Sequence, residues 1–104
     1  MAQLRANHPA RIAREAEKAE KAYWHELDQK CFDRGEKPGC TAISQYAGIE
    51  PQTIRLNRSG KTRLQLTTLQ TLVKNLSPDI RIVLKFLGYT DSQIKAFVKE
   101  VATQ

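Results

Sequence analysis

The chain has 104 residues, enough for one domain with a modest core, and 40% of them are apolar. Seventeen Lys and Arg against 11 Asp and Glu give a formal net charge of +6, which favours a polyanionic partner because neutralising phosphates releases counterions; a soluble protein that is merely basic is the alternative. No apolar run approaches the ~18 residues needed to cross a bilayer, and the first residues lack the apolar core of a secretory signal, so the expectation is a cytoplasmic protein with no membrane association.

Residues 1–9 are mixed and polar and read as a tail, leaving 10–104 as a single helical domain. From Ala10 to Arg34 there is no Gly or Pro, and Ala, Glu, Lys, Arg and Leu dominate, which predicts one long helix over 10–34. Glu17 with Lys21, and Glu26 with Lys30, stand four apart in the favourable order. The second half of this helix carries Trp24, Leu27 and Cys31 at i, i+3 and i+7, a stripe that faces a core. Tyr23 and Phe32 add apolar bulk there. The first half offers mostly alanine, and a solvated helix outweighs a helical pair through Ile12, Ala16, Ala19 and Tyr23.

Gly and Pro between Arg34 and Gly39 mark a loop. Two short helices follow in 41–60. Thr41 is expected to cap the first, Ala42 to Ala47, and Gly48 supplies the positive φ of a tight exit. Ile49 points back to the core. Glu50 and Pro51 start the second helix, which runs to about Ser59 and stops at Gly60. Leu66, Leu69, Leu72, Val73 and Leu76 then form the apolar face of an amphipathic helix. Ser77 and Pro78 are expected to break it and start the next, Asp79 to Leu87, whose apolar residues surround most of its circumference and predict burial on more than one side. Thr90 and Gln93 match a capping box, and Ile94, Phe97, Val98 and Val101 share one face of the last helix. The expected fold is therefore all-α, a bundle of about six helices with C-terminal helices over 65–103.

Cys31 and Cys40 do not make a disulfide framework; free thiols outweigh a pair. No zinc-ligand spacing, paired carboxylates, nucleophile triad or phosphate loop stands out. No enzyme activity, metal or cofactor is expected.

From Ile43 to Leu76 the sequence resembles the lambda-repressor-like, Cro-repressor-like helix-turn-helix family of DNA-binding proteins. The residues that carry the resemblance are Ile43, Ser44, Gly48, Ile49 and Ile54, then Gly60, then Leu66, Leu69, Leu72 and Leu76. Three positions depart from the family pattern. Ser44 replaces a usual Ala, Asn57 replaces a second large apolar anchor, and Cys40 replaces a polar start to the first motif helix. With Leu56 about 100° from Asn57 around the helix, the Asn57 departure predicts a rotated or looser second helix.

The resemblance implies that helix 51–59 enters the major groove. Gln52, Thr53, Arg55 and Leu56 are then the base-reading candidates: Gln suits adenine, Arg suits guanine, and Leu can meet a thymine methyl. Thr41, Gln45, Arg58, Ser59, Lys61, Thr62 and Arg63 are the phosphate-binding candidates. The alternative for the basic residues is a solvated surface. The expected function is a sequence-specific transcriptional regulator of the phage or plasmid repressor type, binding double-stranded DNA as a homodimer. Ile82, Phe86, Phe97 and Val101 are the expected dimer interface. The alternative is an antitoxin or protein-interaction adaptor that binds a toxin or another regulator.

Overall fold

The computed structural model describes residues 9–102, and the side chains of residues 13–100. The expected tail lies almost wholly outside these residues. Among the described residues there are six helices, α1 Pro9–Asp33, α2 Cys40–Ala47, α3 Pro51–Arg58, α4 Leu66–Leu76, α5 Ile80–Phe86 and α6 Asp91–Ala102. No strand occurs among the described residues, so the all-α expectation holds. Contacts divide the chain into two units. One is Trp24–Asp79, which takes the end of α1 with α2, α3 and α4. The other joins α1 up to Tyr23 with the chain from Ile80 onward.

In the first unit the periodicities of the sequence become a core. Trp24, Leu27 and Cys31 of α1 are buried, as are Ile43 and Ala47 of α2, Ile54 of α3, and Leu69, Leu72 and Leu76 of α4. Each large apolar side chain buried this way contributes roughly 1.5–3 kcal/mol. Helix α2 packs on both α3 and α4, so it is the element that fixes where α3 stands. Both cysteines are free thiols. Burial is the main influence that pushes the Cys31 thiol above its ordinary pKa, with Glu36 and Asp28 acting the same way.

Four expectations for this unit are corrected. Helix α2 begins at Cys40 with Gly39 as its N-cap, not at Ala42 with Thr41. Gly39 has φ 143°, a conformation closed to Thr, and its carbonyl accepts from the Ile43 N–H at 3.1 Å. Leu66 is 62% exposed and Phe32 63% exposed, so neither belongs to the core. The α4 stripe is Leu69, Leu72 and Leu76, and Leu66 in the first turn stands outside it. Ser77 ends α4 and does not start the next helix. It is the left-handed C-cap, φ 52° and ψ 53°, and its N–H donates to Val73. The Asp79 N–H that follows donates to Glu26 Oε2 at 2.7 Å, tying this junction to α1.

In the second unit Tyr23 is fully buried and stacks on Phe86, with ring centroids 4.2 Å apart and planes within 8°. Burial raises the Tyr23 phenol well above the ordinary tyrosine range. The capping box of α6 forms as expected: the Thr90 N–H donates to Gln93 Oε1 at 2.9 Å, and the Gln93 N–H to Thr90 Oγ1 at 3.2 Å. Lys85 pairs with Asp91 at 2.8 Å. Helix α5 packs on α6 but is less buried than its composition predicts. Val83 is buried, Ile82, Leu84 and Phe86 are half-buried, and Ile80 and Leu87 are exposed. A seven-residue helix set against α6 and the Tyr23 ring has too little partner surface to cover an apolar circumference.

Candidate nucleic-acid interface

The α2–α3 turn has the backbone the sequence asks for. Gly48 is left-handed, with φ 72° and ψ 24°, and its N–H donates to the Ser44 carbonyl at 2.9 Å. A side chain at this φ would strain the turn. Ser44 is buried, and its hydroxyl donates to the Thr41 carbonyl at 2.6 Å. That bond satisfies the one polar group that distinguishes it from alanine. Ile49 is half-buried. Glu50 occupies the N-cap of α3 in extended backbone, without a side-chain cap bond. Its carbonyl accepts from Thr53 and Ile54 at 3.0 and 3.3 Å, and Pro51 removes an N–H that would have no partner there.

Helix α3 then has an inward and an outward edge. At 100° per residue, Ile54, Asn57 and Arg58 share one side, and Gln52, Arg55, Leu56 and Ser59 share the other, with Thr53 between. Burial follows this division. Ile54 and Asn57 are buried; Gln52, Thr53, Arg55 and Ser59 are exposed; Leu56 is half-buried. Leu56 therefore does not replace Asn57 as the anchor. Asn57 anchors the helix by a different chemistry: its Nδ2 donates to Thr62 Oγ1 at 2.8 Å. The buried amide holds the connector that follows the helix. The Lys61 N–H donates to the Leu56 carbonyl at 3.0 Å, and the Gly60 N–H to Asn57 at 3.1 Å. Gly60, at φ 83°, lets the chain turn back to make these bonds. No looser helix results from the Asn57 departure.

The phosphate-binding candidates separate into three groups. Lys61 and Arg63 are exposed, and from Pro51 to Pro78 the sequence holds Arg55, Arg58, Lys61, Arg63 and Lys74 with no Asp or Glu. Thr41 and Gln45 are exposed on α2 and line an open depression with Glu36, Lys37, Gly39 and Cys40, so one acidic and one basic residue stand there together. Ser59 and Thr62 are exposed; the Ser59 hydroxyl donates to the Leu56 carbonyl at 3.0 Å, whereas Thr62 Oγ1 accepts from Asn57 and its own hydrogen is not committed by that bond.

Arg58 is partnered inside the fold. Its Nη1 and Nη2 donate to Asp28 Oδ1 and Oδ2 at 3.1 and 2.6 Å, and its guanidinium lies 6.0 Å from the Trp24 ring centroid. The hydrogen bonds to Asp28 are the leading cause that raises its pKa further, against an opposing pull from burial. Its charge is already paired with a carboxylate of the same chain. No local sequence signal exposes this pair, because Asp28 lies 30 residues away. Tyr46 is similarly engaged: its hydroxyl donates to Glu36, and Arg34 lies 5.3 Å from its ring centroid. Arg34 Nη1 also donates to the Asn75 carbonyl at 2.6 Å, and Asn75 Nδ2 to the Tyr46 carbonyl at 2.8 Å. This network locks the loop before α2 to the end of α4.

Of the expected dimer residues, Phe97 is 45% exposed, and Ile82 and Phe86 are half-buried. Phe86 is taken up by its stack on Tyr23. The Val101 side chain lies outside those described. The chain matches no protein-family model, no curated protein and no solved structure.

Proposed function

We propose that this chain is a sequence-specific double-stranded DNA-binding protein of the transcriptional-regulator class, with α3 in the major groove. The observation that carries the proposal is the outward edge of α3. Gln52 and Arg55 are exposed there, with Thr53 exposed beside them, on a helix set by the α2–Gly48–α3 turn, inside a stretch of chain that carries five basic and no acidic residues, Arg58 being the one paired with Asp28. A helix of this kind presents donors to base edges, and Lys61 and Arg63 beyond its end meet phosphates. Bound at a promoter, such a protein acts as a repressor by occupying the site.

Two copies would read two half-sites about one helical turn apart. The exposed Phe97 on α6 and the half-buried Ile82 supply apolar surface for that pairing. The test is a salt titration of binding to duplex DNA. The reading predicts tight binding at low salt that falls steeply as salt rises, with a log–log slope of roughly −0.9 per phosphate neutralised. Absence of binding at low salt removes it.

One observation favours a second reading, a protein-interaction role such as an antitoxin. Leu87, Tyr89 and Phe97 are exposed large apolar or aromatic side chains in the α5–α6 unit, more than a short helical pair needs to leave in water. Substitution of Phe97 by Ser separates the readings. Loss of dimerisation supports the repressor pairing; an unchanged oligomeric state with unchanged DNA binding leaves that surface to another protein.

A further inference from the structure

On the outward edge of α3, Arg55 and Gln52 are one turn apart and bonded: Arg55 Nη1 donates to Gln52 Oε1 at 2.7 Å. Both side chains are exposed, and Arg55 has no carboxylate within salt-bridge distance among the described residues. Arginine has donors only, so the Gln52 atom facing it is the amide oxygen. That bond changes what each side chain can offer a base. A free glutamine meets adenine with one acceptor and one donor. Here one lone pair of the acceptor is taken by a cation, and the remaining groups are mostly donors, the Gln52 NH2 and the other N–H groups of Arg55. The joint surface is dominated by donors. Of the four major-groove edges, guanine alone presents two adjacent acceptors, N7 and O6, while adenine and cytosine each present an amino donor that such a surface meets mainly with donors.

We propose that Gln52 is a positioning residue that holds the Arg55 guanidinium for guanine, and that the pair reads one guanine as a unit; the inference rests on α3 entering the major groove. Gln52 fixes the long Arg55 side chain before binding and so reduces the rotamer entropy lost on contact. Gln52 then has no adenine of its own to read, contrary to what its residue type suggests.

The experiment is selection from a randomised duplex pool, followed by affinities for duplexes altered at each selected position. The proteins are wild type, Gln52→Ala, Arg55→Ala, the double variant and Gln52→Glu. Wild type is expected to prefer guanine at one base pair by roughly 5- to 150-fold, the size of a bidentate contact. Arg55→Ala abolishes that preference. Gln52→Ala weakens it at the same base pair and no other, and the double variant loses no more than Arg55→Ala. Gln52→Glu keeps the acceptor and therefore keeps the guanine preference, while its negative charge lowers affinity for all sequences. The inference is overturned if Gln52→Ala changes preference at a different base pair, if the two losses add, or if Gln52→Ala has no effect on preference. Wild type that binds no duplex at low salt overturns the DNA-binding reading itself, an outcome distinct from binding with Gln52-independent preference.

Discussion

The two edges of α3 carry one arginine each, three residues apart, and use them differently. Arg58 on the inward edge is bound by both oxygens of Asp28 and lies over Trp24. Arg55 on the outward edge is bonded, among the described residues, to the neutral Gln52. The formal charge is the same, but one is paired with a carboxylate and the other with a neutral amide. Basic composition therefore overstates the surface available to a polyanion, and the structure must decide residue by residue which cations are already spent. The same division runs through the polar residues: Asn57 is committed to Thr62, whereas Gln45 and Thr53 stand exposed.

Substitutions on the inward edge should cost stability and those on the outward edge should not. The largest effect is expected for Ile54→Ala, which truncates a fully buried side chain and should lower the unfolding free energy by roughly 2–5 kcal/mol in a denaturant titration. Asn57→Ala should cost about 1–2 kcal/mol in the same assay, since it removes the bond that holds Thr62 and leaves a small cavity. Arg58→Ala should cost about 1 kcal/mol, between the surface and buried limits because the pair is partly solvated. Arg55→Ala should change stability by less than about 0.5 kcal/mol. If Arg55→Ala and Arg58→Ala destabilise equally, the distinction between the two edges fails.

DNA binding sharpens the same contrast in the opposite sense. Lys61→Ala or Arg63→Ala should each reduce the salt slope by roughly 1, as loss of one phosphate contact does. Arg58→Ala should leave the slope nearly unchanged, since Asp28 already neutralises it. Equal slopes for all three variants would place Arg58 among the phosphate contacts after all.

The smallest effect concerns pH. The Cys31 thiol and the Tyr23 phenol both have raised pKa values in the folded chain, with burial the leading cause. Between the ordinary and the raised value the unfolded chain has lost a proton that the folded chain keeps. Stability is therefore unaffected below the ordinary values and falls as pH rises, from roughly 8.5 for the thiol and roughly 10 for the phenol. Denaturant midpoints across alkaline pH measure this, and Cys31→Ala should remove the earlier part of the decline.

The sequence made some of this legible, and the boundary has a physical origin. Local chemistry was readable. The Thr90–Gln93 capping box, the left-handed Gly48 and the Trp24–Leu27–Cys31 stripe depend on neighbours within one or two helical turns, and all three appear as expected. Partnerships across the chain were not. Asp28 and Arg58 are 30 residues apart, and Arg34 and Asn75 are 41 apart. Nothing local distinguishes Arg58 from Arg55. Two helix ends were misassigned because a good capping residue stood beside the one that the backbone used. Thr41 yields to Gly39, which alone takes the φ of 143°, and Ser77 closes α4 where its type suggests it opens α5. Burial of α5 was overestimated because composition records how apolar a helix is, not how much surface its neighbours offer.

The most direct test of the account is an amide NMR titration of the 15N-labelled chain with a short duplex at low salt. Binding through the outward edge of α3 predicts the largest shifts at Gln52, Thr53, Arg55, Lys61 and Arg63, with the Asp28 and Arg58 signals little changed. Shifts confined to α5 and α6, or none at any duplex concentration, would contradict it.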